Sequence, residues 1–234
     1  MTSSDSRKSR YFVIAVTVLL TSAVLVLSWP RLRASYRYLP VEIALQAYFS
    51  TREIPSARLD VLIRFARGAI AYHDHYRYHD GLSLLYLLRA VDVHTLALQR
   101  RDAYQAAADE AIAALQRAPA QPAIWLRLAN IRWILHDEPE TILTPWRMSI
   151  LTGRTDSSLL AQRVELGLAH RAYLDAEAVA MLRDQLLLAW RLQPGSVMRV
   201  LALRDRGLAV TRALVQNTDP LALTEMEAWL EKLR

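Results

Sequence analysis

Apolar residues recur every three to four positions along most of the chain. Ala107, Ala111, Ile112 and Leu115 fall on one helical face. Leu126, Ala129 and Trp133 fall on another, with Trp125 and Leu128 beside it. This spacing marks amphipathic helices. Leu, Ala, Arg and Gln dominate, all good helix formers. No run alternates β-branched with polar residues, so no strand is expected. Six glycines and nine prolines punctuate the pattern. Helices are expected at about 41–50, 56–74, 79–96, 99–118, 121–135, 139–151, 156–171, 174–192, 195–206, 207–217 and 219–233, since Pro55, Pro119, Pro122, Pro139, Pro145, Pro194 and Pro220 lie near their boundaries. "DEP" at Asp137–Pro139 and "TDP" at Thr218–Pro220 read as helix starts, with an acidic cap and proline in the first turn. Links of two to six residues make neighbouring helices antiparallel.

One segment breaks this pattern. "YFVIAVTVLLTSAVLVLSW", Tyr11–Trp29, carries no charge in 19 residues. As a helix it is about 28 Å long, close to the hydrocarbon thickness of a bilayer. Basic residues flank it on both sides, and Tyr11, Trp29, Tyr36 and Tyr38 sit where interfacial aromatics belong. The apolar stretch continues past its one weak small-residue cleavage site, Thr21–Ala23, so it reads as an uncleaved anchor rather than a leader. The expected organisation is a basic tail at 1–10, a transmembrane helix at 11–29, a juxtamembrane linker at 30–40 and a helical domain at 41–234. Three basic residues lie on each side of the span, so their count sets no orientation. The short tail with its adjacent basic cluster favours an N-terminus inside and a domain outside the cytoplasmic membrane.

Charge placement changes what the composition implies. The net charge is +6, but residues 1–38 hold six basic groups against Asp5 alone. Residues 39–234 carry 23 basic and 22 acidic groups. A nucleic-acid binder needs a basic face on its folded domain, so no nucleic-acid partner is expected. Cysteine is absent, which excludes disulfides, thiolate metal sites, a cysteine nucleophile and a lipidated cysteine.

Trp125-Leu126-Arg127-Leu128-Ala129 follows the W-x2-L-small opening of a tetratricopeptide helix. It comes after "EAIAALQRAPAQP", Glu110–Pro122, which suits the second helix and turn of a preceding unit. Weaker echoes stand at Arg163-Val164-Glu165-Leu166-Gly167, 38 residues on, and at Leu201-Ala202, 35 residues beyond Leu166. The sequence here resembles the tetratricopeptide-like helical-repeat class, specifically over 103–135 and by spacing over 103–217. The resemblance implies an all-α fold in which one transmembrane helix precedes an α-α superhelix of antiparallel helix pairs. Each pair buries its face only by stacking on its neighbours, and the stack presents a concave surface to a partner. The final helix suits an end cap, with Leu221, Met226, Trp229 and Leu230 inward and Glu225, Glu227, Glu231, Lys232 and Arg234 toward water.

"AYHDHYRYHDG", Ala71–Gly81, concentrates three histidines, two aspartates and three tyrosines. His75 and His79 have the i, i+4 spacing of a zinc pair on a helix, but Tyr76 stands where a zinc protease carries its glutamate. His94, His136 and His170 are isolated in sequence, so the ligand set is incomplete. The favoured reading is a wet turn centred on Asp80-Gly81, with Asp80 capping the following helix and Tyr72 packing on Tyr76. The same residues suit a recognition edge, and Tyr72, His73, His75, Tyr76, Tyr78 and His79 are the candidate partner-binding residues. Tyrosines beside Asp and His also suit stacking on a sugar ring. A metal-dependent module centred on His73, His75 and His79 is the rival reading.

No G-x-S-x-G, P-loop or G-x-G-x-x-G occurs. The chain is therefore expected to be non-catalytic and to need no metal or cofactor. In layout it resembles accessory proteins of bacterial envelope-assembly systems, including those for exported polysaccharide. That implies a scaffold that binds protein partners at the membrane, or a structural subunit of a larger membrane complex.

Overall fold

The structure, a computed structural model, describes residues 3–51, 53–205 and 208–232. Among these residues there are eleven α-helices, two short 3-10 turns and no strand. The protein is all-α. Residues 1 and 2 of the basic tail and Arg234 of the expected cap lie outside the described residues.

Helix α1 runs unbroken from Ser3 to Thr51, 49 residues, with Pro30 and Pro40 inside it. The segment 30–40, expected as a linker, is thus helix. Each proline removes one backbone hydrogen bond, and packing holds the helix across that gap. Ala34, Tyr38, Val41, Ala44 and Leu45 are buried along one face. Upstream, Ile14 begins the only stretch among the described residues long and apolar enough to cross a membrane. None of that window is buried within the protein.

The remaining helices follow the proline punctuation. They are α2 (Ser56–Tyr72), α3 (Tyr76–Val91), α4 (Ala97–Arg117), α5 (Pro122–Ile134), α6 (Pro139–Thr152), α7 (Leu160–Ala169), α8 (Ala176–Leu192), α9 (Pro194–Arg204), α10 (Ala209–Val215) and α11 (Pro220–Glu231). Pro122, Pro139, Pro194 and Pro220 occupy first turns, where the missing N–H costs nothing. Asp175 caps α8 by accepting from Ala178 N at 2.8 Å, and Asp219 caps α11 by accepting from Ala222 N at 3.1 Å. Pro145 is not a boundary: it lies buried inside α6.

Two apolar cores result. The first gathers α1 to α5, and the second gathers α5 to α11. Helix α5 serves both. Ile124, Leu128 and Ile131 face the first core, while Leu126 and Ala129 face the second. Because α5 buries apolar residues on two faces, it is the common wall. In α11 the buried residues are Ala222, Leu223 and Met226. Leu221, expected inward, is 69% exposed, and Trp229 is also exposed. Leu223 faces the second core instead, beside Ala222 and Met226.

The second core contains a charge. The Arg163 side chain is fully buried. It donates to Ser149 Oγ at 2.9 Å, Ser149 O at 2.6 Å, Gly153 O at 2.9 Å and Gln185 Oε1 at 3.2 Å. Its partners are neutral, and two are carbonyls at the C-terminal end of α6, the negative end of the helix dipole. Burial pushes its pKa down from the ordinary arginine value, opposed by Asp156.

Candidate functional site

The histidine stretch folds as a tight link followed by the first turns of α3. His73 ends α2, its N–H bonded to Ala69 O at 3.0 Å. His75 caps α3, its Nδ1 accepting from Arg77 N at 3.3 Å. The turn therefore falls at His73-Asp74-His75. Asp80 and Gly81, expected as the turn, lie within the helix.

Gly81 is there because of a neighbour far away in sequence. A Cβ at this position would come within 1.7 Å of the Tyr38 hydroxyl and 3.3 Å of Leu45 Cδ1. Only glycine lets α1 approach α3 this closely. Tyr38 donates to Arg77 O at 3.2 Å, and its ring packs on Tyr78 at 4.8 Å between centroids. Burial raises the Tyr38 pKa, helped by Asp80. Tyr78 is buried, its hydroxyl 3.2 Å from Ser35 Oγ. Around this contact, Arg77 pairs with Glu42 at 2.8 Å and Arg127 of α5 with Asp80 at 2.7 Å.

His79 is also buried. Its Nδ1 lies 2.6 Å from Glu110 Oε2 of α4, and its Nε2 lies 2.9 Å from Asp74 Oδ1. Asp74 in turn accepts at both carboxylate oxygens, from Nε and Nη2 of Arg117. Burial works against a charged imidazole. The two carboxylates outweigh it and raise the His79 pKa. The Arg117 guanidinium, helped by His79, holds the Asp74 carboxyl down at about 2 against the opposing effect of burial. Only imidazolium can donate at both ring nitrogens, so the charged form fits this site. The cluster Glu110–His79–Asp74–Arg117 is a clasp that ties α4 to the start of α3.

This geometry separates the candidate residues. His73 and His75 stack at 5.8 Å, and His75 meets Tyr76 at 4.8 Å and Tyr78 at 5.8 Å. His79 does not join them: its two nitrogens are taken from opposite sides by carboxylates. Among the described residues, no group of three or more His, Cys, Asp or Glu is gathered to hold a metal ion. Tyr78 and His79, candidates for partner contact, point inward because they form the α1 and α4 contacts. The accessible edge is Tyr72, His73, His75 and Tyr76. Burial and the coulombic effect of His73 lower the His75 pKa.

Sequence reasoning missed Tyr38, Glu110, Arg117 and Arg127 as the partners of this stretch. The spacing of Ala34, Tyr38, Val41 and Leu45 carried a signal for Tyr38, since it continues a helical face through the supposed linker.

A second feature lies at the far end of α1. A groove of about 820 Å³ is lined by Tyr48, Ile54, Leu59, Leu88, Val91 and Val93, among others. Beside it Val91, Val93, Leu96 and Leu98 are exposed, at 56%, 83%, 68% and 83%. Four large apolar side chains are thus exposed within eight residues, two of them, Val91 and Val93, on the groove itself.

No protein-family model matches the chain, and neither does any curated protein.

Proposed function

We propose that the chain is a membrane-anchored, non-catalytic scaffold that holds a protein partner of an envelope-assembly complex on its helical domain. The observation that carries this reading is the continuity of α1. The helix passes from its apolar stretch into the domain without a break, and Tyr38 seated over Gly81 locks it to α3. From Trp29 to Thr51 the helix rises about 33 Å, so the apolar patch at 91–98 stands at a set height above a bilayer. In this reading the Tyr11–Trp29 span crosses the cytoplasmic membrane, with the short tail inside and the domain outside. The helix pairs stack as a divergent tetratricopeptide-like superhelix, and exported polysaccharide is the favoured process.

The clasp supports a binding role over a catalytic one. The one imidazole of the cluster, His79, has both ring nitrogens held by the carboxylates of Asp74 and Glu110. Site-specific photo-crosslinking in native membranes tests the reading. A photoreactive residue at Val93 or Leu98 is expected to capture one protein of defined mass. The same probe at Glu177 or Arg199, exposed elsewhere on the domain, is expected to capture none. Equal capture at all four positions, or none at any, would overturn it.

A further inference from the structure

A second groove lies where the apolar part of α1 meets the domain. It has a volume of about 680 Å³ and is lined by Trp29, Arg33, Tyr36, Arg37, Phe65 and Tyr72, with flanking apolar residues and no carboxylate. Trp29, Arg33 and Arg37 recur every four positions, so the unbroken helix stacks them on one face. The Arg33 guanidinium lies 5.3 Å from the Trp29 ring centroid and 5.7 Å from that of Tyr72. The Arg37 guanidinium lies 5.2 Å from that of Phe65. The aromatic faces orient both cations, and their N–H groups are left for an acceptor.

Gly68 adds to this arrangement. A glycine inside a helix costs about 1 kcal/mol relative to alanine. Here a Cβ would come within 2.8 Å of Arg37 Nε. The bare backbone of α2 thus lets the Arg37 side chain lie across the helix into the groove.

We propose that this groove binds the headgroup of an anionic glycerophospholipid, with the phosphates on Arg33 and Arg37 and the upper acyl chains against Trp29, Phe65 and Tyr72. Charge complementarity and position select this occupant. Two arginines with no carboxylate partner among the described residues suit phosphate oxygens, and an aromatic-lined apolar wall suits the glycerol and chain region. The groove begins at Trp29, where the apolar stretch ends, so a lipid reaches it without leaving the bilayer. This inference rests on the anchored reading of α1.

The test uses the full-length protein in mild detergent. Thermal unfolding is followed with added phosphatidylglycerol, phosphatidylcholine or inorganic phosphate, and native mass spectrometry counts the retained lipid. Phosphatidylglycerol is expected to be retained preferentially, by about fivefold for each arginine engaged, and to raise the unfolding temperature. Phosphatidylcholine and inorganic phosphate are expected to do neither. Arg33→Gln with Arg37→Gln should abolish the preference. Gly68→Ala, which favours the helix while displacing the Arg37 guanidinium, should lower it without loss of fold. Equal retention of both lipids, a preference that survives both variants, or equal protection by inorganic phosphate would overturn the proposal. Alkaline extraction of native membranes separates the two readings. A protein that stays in the pellet but shows no lipid preference defeats the lipid site alone, whereas a protein released into solution defeats the anchor as well.

Discussion

Tyr38 lies over Gly81 so closely that a methyl group on the glycine would collide with the tyrosine hydroxyl, at 1.7 Å. The residues are 43 positions apart, and the contact joins the membrane-length helix to α3. Gly81→Ala is therefore expected to destabilise the domain by about 1–3 kcal/mol, the usual range for overpacking. This outweighs the roughly 1 kcal/mol by which alanine favours an isolated helix. Urea unfolding of the full-length protein in detergent checks it. Tyr38→Ala combined with Gly81→Ala should cost less than the sum of the two single changes, because the clash disappears with the ring.

The clasp predicts a pH profile. The folded-state pKa of His79 lies above its ordinary 6.5, so its stabilising contribution is complete below that value and is lost as pH rises through the folded pKa. The folded-state pKa of Asp74 is lowered from 3.8 to about 2, so its contribution is complete above 3.8 and is lost as pH falls toward 2. Stability should therefore peak between about pH 4 and 6.5, given these two shifts. His79→Gln is expected to remove the loss on the alkaline side and to cost about 1.5–3 kcal/mol at pH 6, the scale of charged hydrogen bonds. Unfolding temperatures from pH 3 to 9 for the two proteins test both statements.

Arg163 is buried with neutral partners, and Arg163→Met is expected to destabilise by about 3 kcal/mol. The methionine fills part of the space but takes a donor from Ser149 O and Gln185 Oε1, while Gly153 O keeps Asp156 N. Arg163→Lys should recover less than half of that loss, since one ammonium cannot reach all four acceptors. Equilibrium unfolding of both variants makes the comparison.

His136 follows α5 with a φ of 59°, a left-handed conformation that favours glycine. Asp137 N bonds back to Arg132 O at 3.0 Å, and the Arg132 and Asp137 side chains pair at 2.9 Å, which closes the helix end. His136→Gly is expected to stabilise the protein by about 0.5–1 kcal/mol by relieving the backbone. A rise in unfolding temperature is the readout, and an unchanged or lower value would count against it.

Most helices were legible because their punctuation is local. Proline in a first turn marks α5, α6, α9 and α11, and leucine or alanine at helical spacing marks α4 and α8, without knowledge of the fold. Three features were hidden because their cause is remote. Pro30 and Pro40 look like breaks until Ala34, Tyr38 and Val41 are seen to bury a continuous face. Asp80-Gly81 looks like a turn until Tyr38 explains the glycine. The histidine stretch looks like a solvated turn until Glu110 and Arg117, some 30 to 40 residues on, are seen to engage His79 and Asp74. In α11 the start at Asp219 and the periodicity were visible but the buried face was not, since packing in the second core selects Ala222, Leu223 and Met226.

Hydrogen exchange of the full-length protein in lipid nanodiscs tests the central claim most directly, because it asks whether anchor and domain are one piece. Amides from 31 to 39 are expected to be protected to the same degree as those of α2 and α3, as one packed helix requires. Exchange across 31–39 at the rate of an unstructured chain, with α2 and α3 still protected, would contradict a rigid scaffold and leave the domain on a flexible tether.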